Sequence, residues 1–253
     1  KYEDTVYSFY IMHPAELSND SKEKMLSLKN KYKNIDIELI DMGDKYKSAT
    51  TNAKITTPSY YRLCLPELLP NLDKIIWLDG DTVTYHDLNE MYNINMDGYY
   101  FKGFLDDSAD TCKEFGIYND HYVCAGVMLL NLKELRENNM VEKFSEFISE
   151  NNDKLKQHDQ TVINVLCYDK VGVLPAKFGI FNFLLNNGKN YIDNLTAQNK
   201  YTLAEFNSAS NNPSVLHCTS KPWKNKTVRG SNAWWKYAKK SGYYKEIKEK
   251  YYN

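Results

Sequence analysis

The segment Ala125-Gly126-Val127-Met128-Leu129-Leu130 runs for six residues without a polar side chain. A strand that shows no alternation has to be covered on both faces, so this run belongs at the centre of a sheet held between two layers. Other stretches fit around it as strands: Val6–Met12, Ile35–Ile40, Lys74–Leu78, Tyr99–Phe104, Val171–Leu174 and Val215–His217. Helical patterns separate them. Ser18 caps a helix with Met25, Leu28 and Tyr32 on one face. Pro58 opens a helix to about Leu68, and Val141, Phe144 and Ile148 mark a third on one stripe. Asp159–Leu166 reads as a fourth, and Leu203–Phe206 as a short one inside the polar stretch Asn186–Pro213. Strands alternating with helices predict an α/β fold with a mostly parallel central sheet flanked by helices.

Composition narrows the function classes. The chain has 253 residues, enough for one large domain or two small ones. Its net charge of −1 gives no global pull toward nucleic acid or lipid. No apolar stretch approaches the ~18 residues of a membrane span. The five cysteines, Cys64, Cys112, Cys124, Cys167 and Cys218, are scattered and odd in number, which points to a reduced, cytoplasmic setting.

The chemistry is concentrated where the strand Lys74-Ile75-Ile76-Trp77-Leu78 runs into Asp79-Gly80-Asp81. Alternate side chains of an extended segment point the same way, so both carboxylates can face one spot at the strand's carboxyl end. Open α/β sheets bind their ligands there. Two converging carboxylates repel unless a cation lies between them, and a divalent ion carried by a diphosphate suits them.

Further motifs follow in a fixed order. Thr57-Pro58-Ser59-Tyr60-Tyr61-Arg62-Leu63 comes before the acidic pair, and Cys124-Ala125-Gly126-Val127 comes after it. Then come His158-Asp159-Gln160-Thr161-Val162-Ile163-Asn164, Phe181-Asn182-Phe183, and His217-Cys218-Thr219-Ser220-Lys221-Pro222-Trp223. Over nearly the whole chain this series resembles family 8 glycosyltransferases, the group of glycogenin and bacterial lipopolysaccharide galactosyl- and glucosyltransferases. The resemblance implies a GT-A, Rossmann-like fold, a nucleotide-sugar donor, Mn²⁺ (Mg²⁺ as the alternative) and transfer with retained anomeric configuration. It makes Asp79, Asp81 and His217 the metal ligands. It makes Arg62, Asp79, Gly80, Cys124, Ala125, Asp159, Gln160 and Lys221 the donor-binding residues, with Asp159 and Gln160 nearest the reacting carbon. An amide is a poor nucleophile, so same-face attack is expected over a covalent intermediate on Gln160. Lys221 is a point charge suited to phosphate oxygens.

Taken alone, these residues have plainer readings. His217 can be an ordinary strand-end histidine, Lys221 a solvated lysine, Arg62 the partner of Glu67 or a nearby Asp, and Asp159 a helix cap that stays ionised. Three departures from the family's pattern also stand out. Cys124 replaces the usual Asn. No glycine lies between His217 and Lys221, where hydroxyls of Thr219 and Ser220 can substitute. The sequence also starts at what resembles the family's second strand, so the family's first strand, with the uridine pocket, is expected outside it.

Residues 1–231 are therefore read as the transferase domain and 232–253 as a basic aromatic C-terminal helix, suited to the inner face of an anionic membrane. The expected reaction moves glucose or galactose from a UDP-sugar to a glycan or lipid-linked acceptor, in bacterial cell-envelope synthesis. Two rivals remain. Asp79-Gly80-Asp81 also fits a haloacid-dehalogenase-like phosphatase, with Asp106-Asp107 as a second acidic pair, although a gap of only ~25 residues is short for the intervening elements of that fold. The other rival is a catalytically weakened nucleotide-sugar-binding protein.

Overall fold

The structure is a computed structural model, and residues 5–49, 51, 56–118, 121–187, 192–193, 201–224, 227–228 and 230–252 are described. Nine strands occur among them: β1 Tyr7–His13, β2 Ile35–Asp41, β3 Lys74–Leu78, β4 Thr82–Thr84, β5 Phe101–Leu105, β6 Val123–Asn131, β7 Val171–Val173, β8 Phe178–Phe181 and β9 Val215–His217. They form three sheets, with orders β1-β2, β3-β6-β5-β7 and β4-β9-β8. The apolar run lies in β6, between β3 and β5, and every residue of β6 except Asn131 is buried. Helices Leu132–Glu137, Met140–Asn151 and Asp159–Leu166 supply much of its cover, placing Leu135, Phe144, Val162 and Ile163 in one core with Phe101, Met128 and Leu130.

The architecture is α/β as expected, but the sheet is not mostly parallel. Three ladders are parallel (β1–β2, β5–β7, β8–β9) and three antiparallel (β3–β6, β5–β6, β4–β9). Burial on both faces places β6 at the sheet centre. It does not set the direction of the neighbours, which long-range pairing decides.

Local differences have local causes. The predicted helix from Pro58 is a 3-10 helix, Thr57–Cys64, before one α-turn at Leu65–Leu68. Pro66 has no N–H to offer the Arg62 carbonyl, and Leu65 N–H bonds it instead, the tighter i→i−3 pattern. The helix capped by Ser18 closes at Leu26, and Leu28–Lys31 is a separate turn. The C-terminal segment is two helices, Ser231–Ser241 and Tyr244–Tyr252, broken at Gly242, whose φ of 89° is one that glycine tolerates best. Leu203–Phe206 extends to Asn211, whereas residues 188–191 and 194–200 of the polar stretch lie outside the described residues.

Two features position the site. Asp79-Gly80-Asp81 is the whole connection between β3, in the four-stranded sheet, and β4, in the three-stranded one. The C-terminal helices also pack on the domain: Trp234 joins the core of Val83 and Leu216, and Lys24 reaches Glu246 at 3.1 Å. Among the described residues no helix is long and apolar enough to cross a membrane. All five cysteines are buried and free.

Candidate active site

His217 ends β9, which pairs with β4 so that His217 lies opposite Thr82, the residue after Asp81. The ladder therefore carries the imidazole to the acidic turn. Its Nε2 lies 3.2 Å from Asp81 Oδ1 and 3.9 Å from Asp79 Oδ2. The ring is buried against Gly126 of β6. A Cβ there would stand 2.1 Å from His217 Cε1, so glycine is required by close approach. Cys124 Sγ lies 3.9 Å from the other ring nitrogen, Nδ1, and accepts the Gly126 N–H at 3.4 Å. Burial raises this thiol well above its usual pKa, so it stays neutral.

Each carboxylate has one oxygen tied and one turned inward. Asp79 Oδ1 accepts Trp77 Nε1–H at 2.7 Å and an Arg62 N–H at 3.0 Å. Asp81 Oδ2 accepts from Lys221. Ligand atoms of Asp79, Asp81 and His217 all fall within 4.8 Å of one another. Two carboxylate oxygens and one imidazole nitrogen suit Mn²⁺, and they suit Mg²⁺ less, since it favours oxygen alone. Burial pushes the Asp81 pKa up. The His217 contact and then the Lys221 contact outweigh that and hold it well below the usual carboxylate range, so the acidic ligand is ready at any physiological pH.

Arg62 links the acidic turn to Ala125 and Asp159. It is 3% exposed and its guanidinium lies 4.5 Å from the centre of the Trp77 ring. Nε–H donates to Ser59 O at 2.8 Å, and another N–H donates to Ala125 O. Nε also stands 3.0 Å from Asp159 Oδ2, a charge contact rather than a hydrogen bond because that N–H is committed to Ser59. Arg62 thus spends itself on Asp79, Asp159 and Ala125. Glu67, its plainer expected partner, pairs with Lys45 at 3.6 Å.

Asp159 begins the helix Asp159–Leu166 and follows His158, whose φ of 52° and ψ of −127° are strained for a side chain with a Cβ. Buried Tyr60 and His158 hold each other, hydroxyl to Nδ1, at 3.4 Å. Burial raises the Asp159 pKa to about 6; Arg62 opposes this and Asp79 adds to it. The helix N-terminus therefore does not keep this carboxyl as acidic as the sequence suggests. Its Oδ2 is buried and accepts no hydrogen bond, an acceptor without a donor. The Gln160 amide is held on both sides: Oε1 accepts Ala125 N–H at 2.9 Å, and Nε2 donates to Asp106 Oδ2 and Tyr122 Oη, each at 3.3 Å. Gly80 faces open space, with nothing within 4 Å of an added Cβ.

All the residues singled out from sequence thus come together, and Trp77, Asp106 and Tyr122 join them. Trp77 was legible, since it lies two residues before Asp79 on the same side of a strand. Asp106 drew attention only as part of a phosphatase-like pair, and no sequence pattern flags Tyr122.

An α/β fold that gathers an Asp-x-Asp turn, a histidine and a lysine at one strand end matches the arrangement expected of a GT-A glycosyltransferase. A crystal structure of galactosyltransferase LgtC in complex with donor and acceptor sugar analogs superposes with a TM-score of 0.73 at 21% identity, over 99% of this chain and 87% of that one. The sequence model described as Glycosyl transferase family 8 matches residues 2–227, and the chain belongs to that family. A putative glycosyltransferase of Haemophilus influenzae is 31% identical over 129 residues, 49% of this chain and 39% of that protein. A lipopolysaccharide 1,2-glucosyltransferase of Escherichia coli is 28% identical over 183 residues, 68% of this chain and 53% of that protein. The chain therefore spans 39% and 53% of the length of these two relatives. Family membership sets this chain apart from the phosphatase rival for Asp79-Gly80-Asp81.

Proposed function

We propose that this chain is a retaining hexosyltransferase that takes glucose or galactose from a UDP-sugar, with Mn²⁺ (or Mg²⁺) held by Asp79, Asp81 and His217. The observation that carries the reading is the convergence of those three side chains beside Lys221. Bound there, a divalent cation supplies Lewis-acid neutralisation of the departing diphosphate. Lys221 adds a second positive charge to the same phosphate oxygens. Asp159 Oδ2, which accepts no hydrogen bond within the protein, accepts a sugar hydroxyl, and Arg62 keeps that carboxylate charged and in place. Gly80, Cys124 and Ala125 line the donor's path. Gln160 positions the sugar and does not attack it, because its oxygen is committed to Ala125 N–H. The acceptor hydroxyl enters on the leaving-group face and gives its proton to the departing phosphate oxygen.

The acceptor is a glycan or lipid-linked glycoconjugate of the cell envelope, met at the inner face of the membrane. Tyr237 and Tyr251 stay exposed among the lysines of the C-terminal helices, which leaves a basic aromatic face for that contact. A donor screen reading release of nucleoside diphosphate, with Mn²⁺, Mg²⁺ or chelator, tests the proposal. UDP-glucose or UDP-galactose turnover that needs the metal and is lost in Asp81→Asn is the expected result. UDP–Mn²⁺ binding without turnover would favour the weakened binding protein, and an Asp81→Asn variant with wild-type turnover would refute the metal assignment.

A further inference from the structure

The Phe181-Asn182-Phe183 motif has no place in the chemistry above, yet Asn182 is completely buried and directed at the site's edge. Its backbone N–H donates to His217 O at 2.9 Å. Its side chain then takes Ser220 by both main-chain groups: Oδ1 accepts Ser220 N–H at 3.1 Å, and Nδ2 donates to Ser220 O at 3.0 Å. β8 and β9 pair in parallel up to Phe181 and His217. Beyond that point the β8 chain turns away, and the Asn182 amide, chemically a peptide group, continues the ladder to Ser220. The next residue is Lys221, whose ammonium contacts Asp81. The other end of the segment is pinned by Cys218 N–H on Asp81 O at 2.8 Å. The segment has no glycine, and it holds its shape through a side chain from another strand.

We propose that Asn182 is a positioning residue: its amide clamps the main chain at Ser220 so that Lys221 is set against Asp81 and the diphosphate. The proposal rests on the transferase reading for its consequence, not for the clamp itself. His217 lies in β9 and keeps its place without the clamp. Losing the Asn182 amide therefore weakens diphosphate binding and spares binding of the bare cation.

The variants are Asn182→Leu, Lys221→Met and their combination. Ser220→Pro removes the same N–H from the other side without opening the core. Hydrogen exchange at Ser220 reads the clamp with no ligand present, and Asn182→Leu is expected to speed it at least about tenfold. UDP binding at saturating Mn²⁺ is expected to fall about tenfold in Asn182→Leu, Ser220→Pro and Lys221→Met alike, the scale of one charge-assisted contact. The double variant is expected to bind UDP no more weakly than Lys221→Met, and Asn182→Leu alone is expected to bind Mn²⁺ as the wild type does. Losses that multiply in the double variant, or wild-type UDP binding in both Asn182→Leu and Ser220→Pro, would overturn the proposal. Should Asn182→Leu not fold, Ser220→Pro combined with Lys221→Met gives the same decision. A wild-type chain that binds no UDP would bring down the donor reading instead, and the Ser220 exchange rate in Asn182→Leu would then decide the clamp alone.

Discussion

Replacing Arg62 by methionine separates the electrostatic work of the site from its packing. The guanidinium and the Asp159 carboxylate are both almost fully buried, with side chains 3% and 4% exposed. Methionine fills similar volume and leaves Asp159 with no positive neighbour. Breaking a buried ion pair from one side costs about 3–5 kcal/mol, because the remaining charge is stranded. At about 2–4 °C per kcal/mol for a domain of this size, Tm should fall by about 6–20 °C near pH 8. The pH dependence carries the test. The folded pKa of Asp159 is about 6, above the 3.8 of the free group, so the folded chain holds this proton more tightly than the unfolded one. The ionised form is therefore a cost at neutral pH, on the order of 3 kcal/mol, which is relieved as pH falls through 6 toward 4. Without Arg62 the pKa rises further and the relief starts at higher pH. The deficit of Arg62→Met against wild type should thus be largest near pH 8 and shrink toward pH 5. Urea denaturation followed by tryptophan fluorescence, with Trp77 stacked on the guanidinium, measures it. Adding Asp159→Asn should restore part of the loss. An equal deficit at pH 8 and pH 5, with no recovery in the double variant, would refute the electrostatic account and leave only packing.

Gly126→Ala should displace the His217 ring, because the new methyl would stand 2.1 Å from Cε1. A Mn²⁺ titration by electron paramagnetic resonance should show affinity lower by at least about tenfold, with about 1–3 kcal/mol of stability lost to overpacking. Lys221→Met should act with opposite signs. Lys221 is 41% exposed, so its pairing with Asp81 is worth about 1 kcal/mol, and removing it should tighten bare Mn²⁺ binding by about fivefold while weakening UDP binding.

The site was legible in the sequence to the extent that its members keep a fixed spacing along one strand or helix. The strand ending on Asp79 and the helix starting at Asp159 begin and end where periodicity places them. His217 was legible as the end of a short apolar strand, and its placing beside Asp81 needed the β4–β9 ladder, which spans residues far apart in sequence. The burial of Arg62 follows from three elements closing over it, and local pattern carries none of that. Sheet direction was misjudged for the same reason: β3 and β5 both oppose β6, and hydrophobicity is blind to polarity of the chain. Nothing local in the sequence places the Cys124 sulfur against the ring nitrogen of His217 that is turned away from the acidic pair.

Because Asp79-Gly80-Asp81 bridges the four-stranded and three-stranded sheets, and His217 belongs to the latter, an ion shared by these residues would cross-link two sheets through positions distant in sequence. Binding to the native state alone stabilises it by an amount set by ion concentration over affinity. Loading of the proposed metal centre and cohesion of the fold would then be one equilibrium, and thermal resistance titrated with Mn²⁺ would trace a binding curve for that centre.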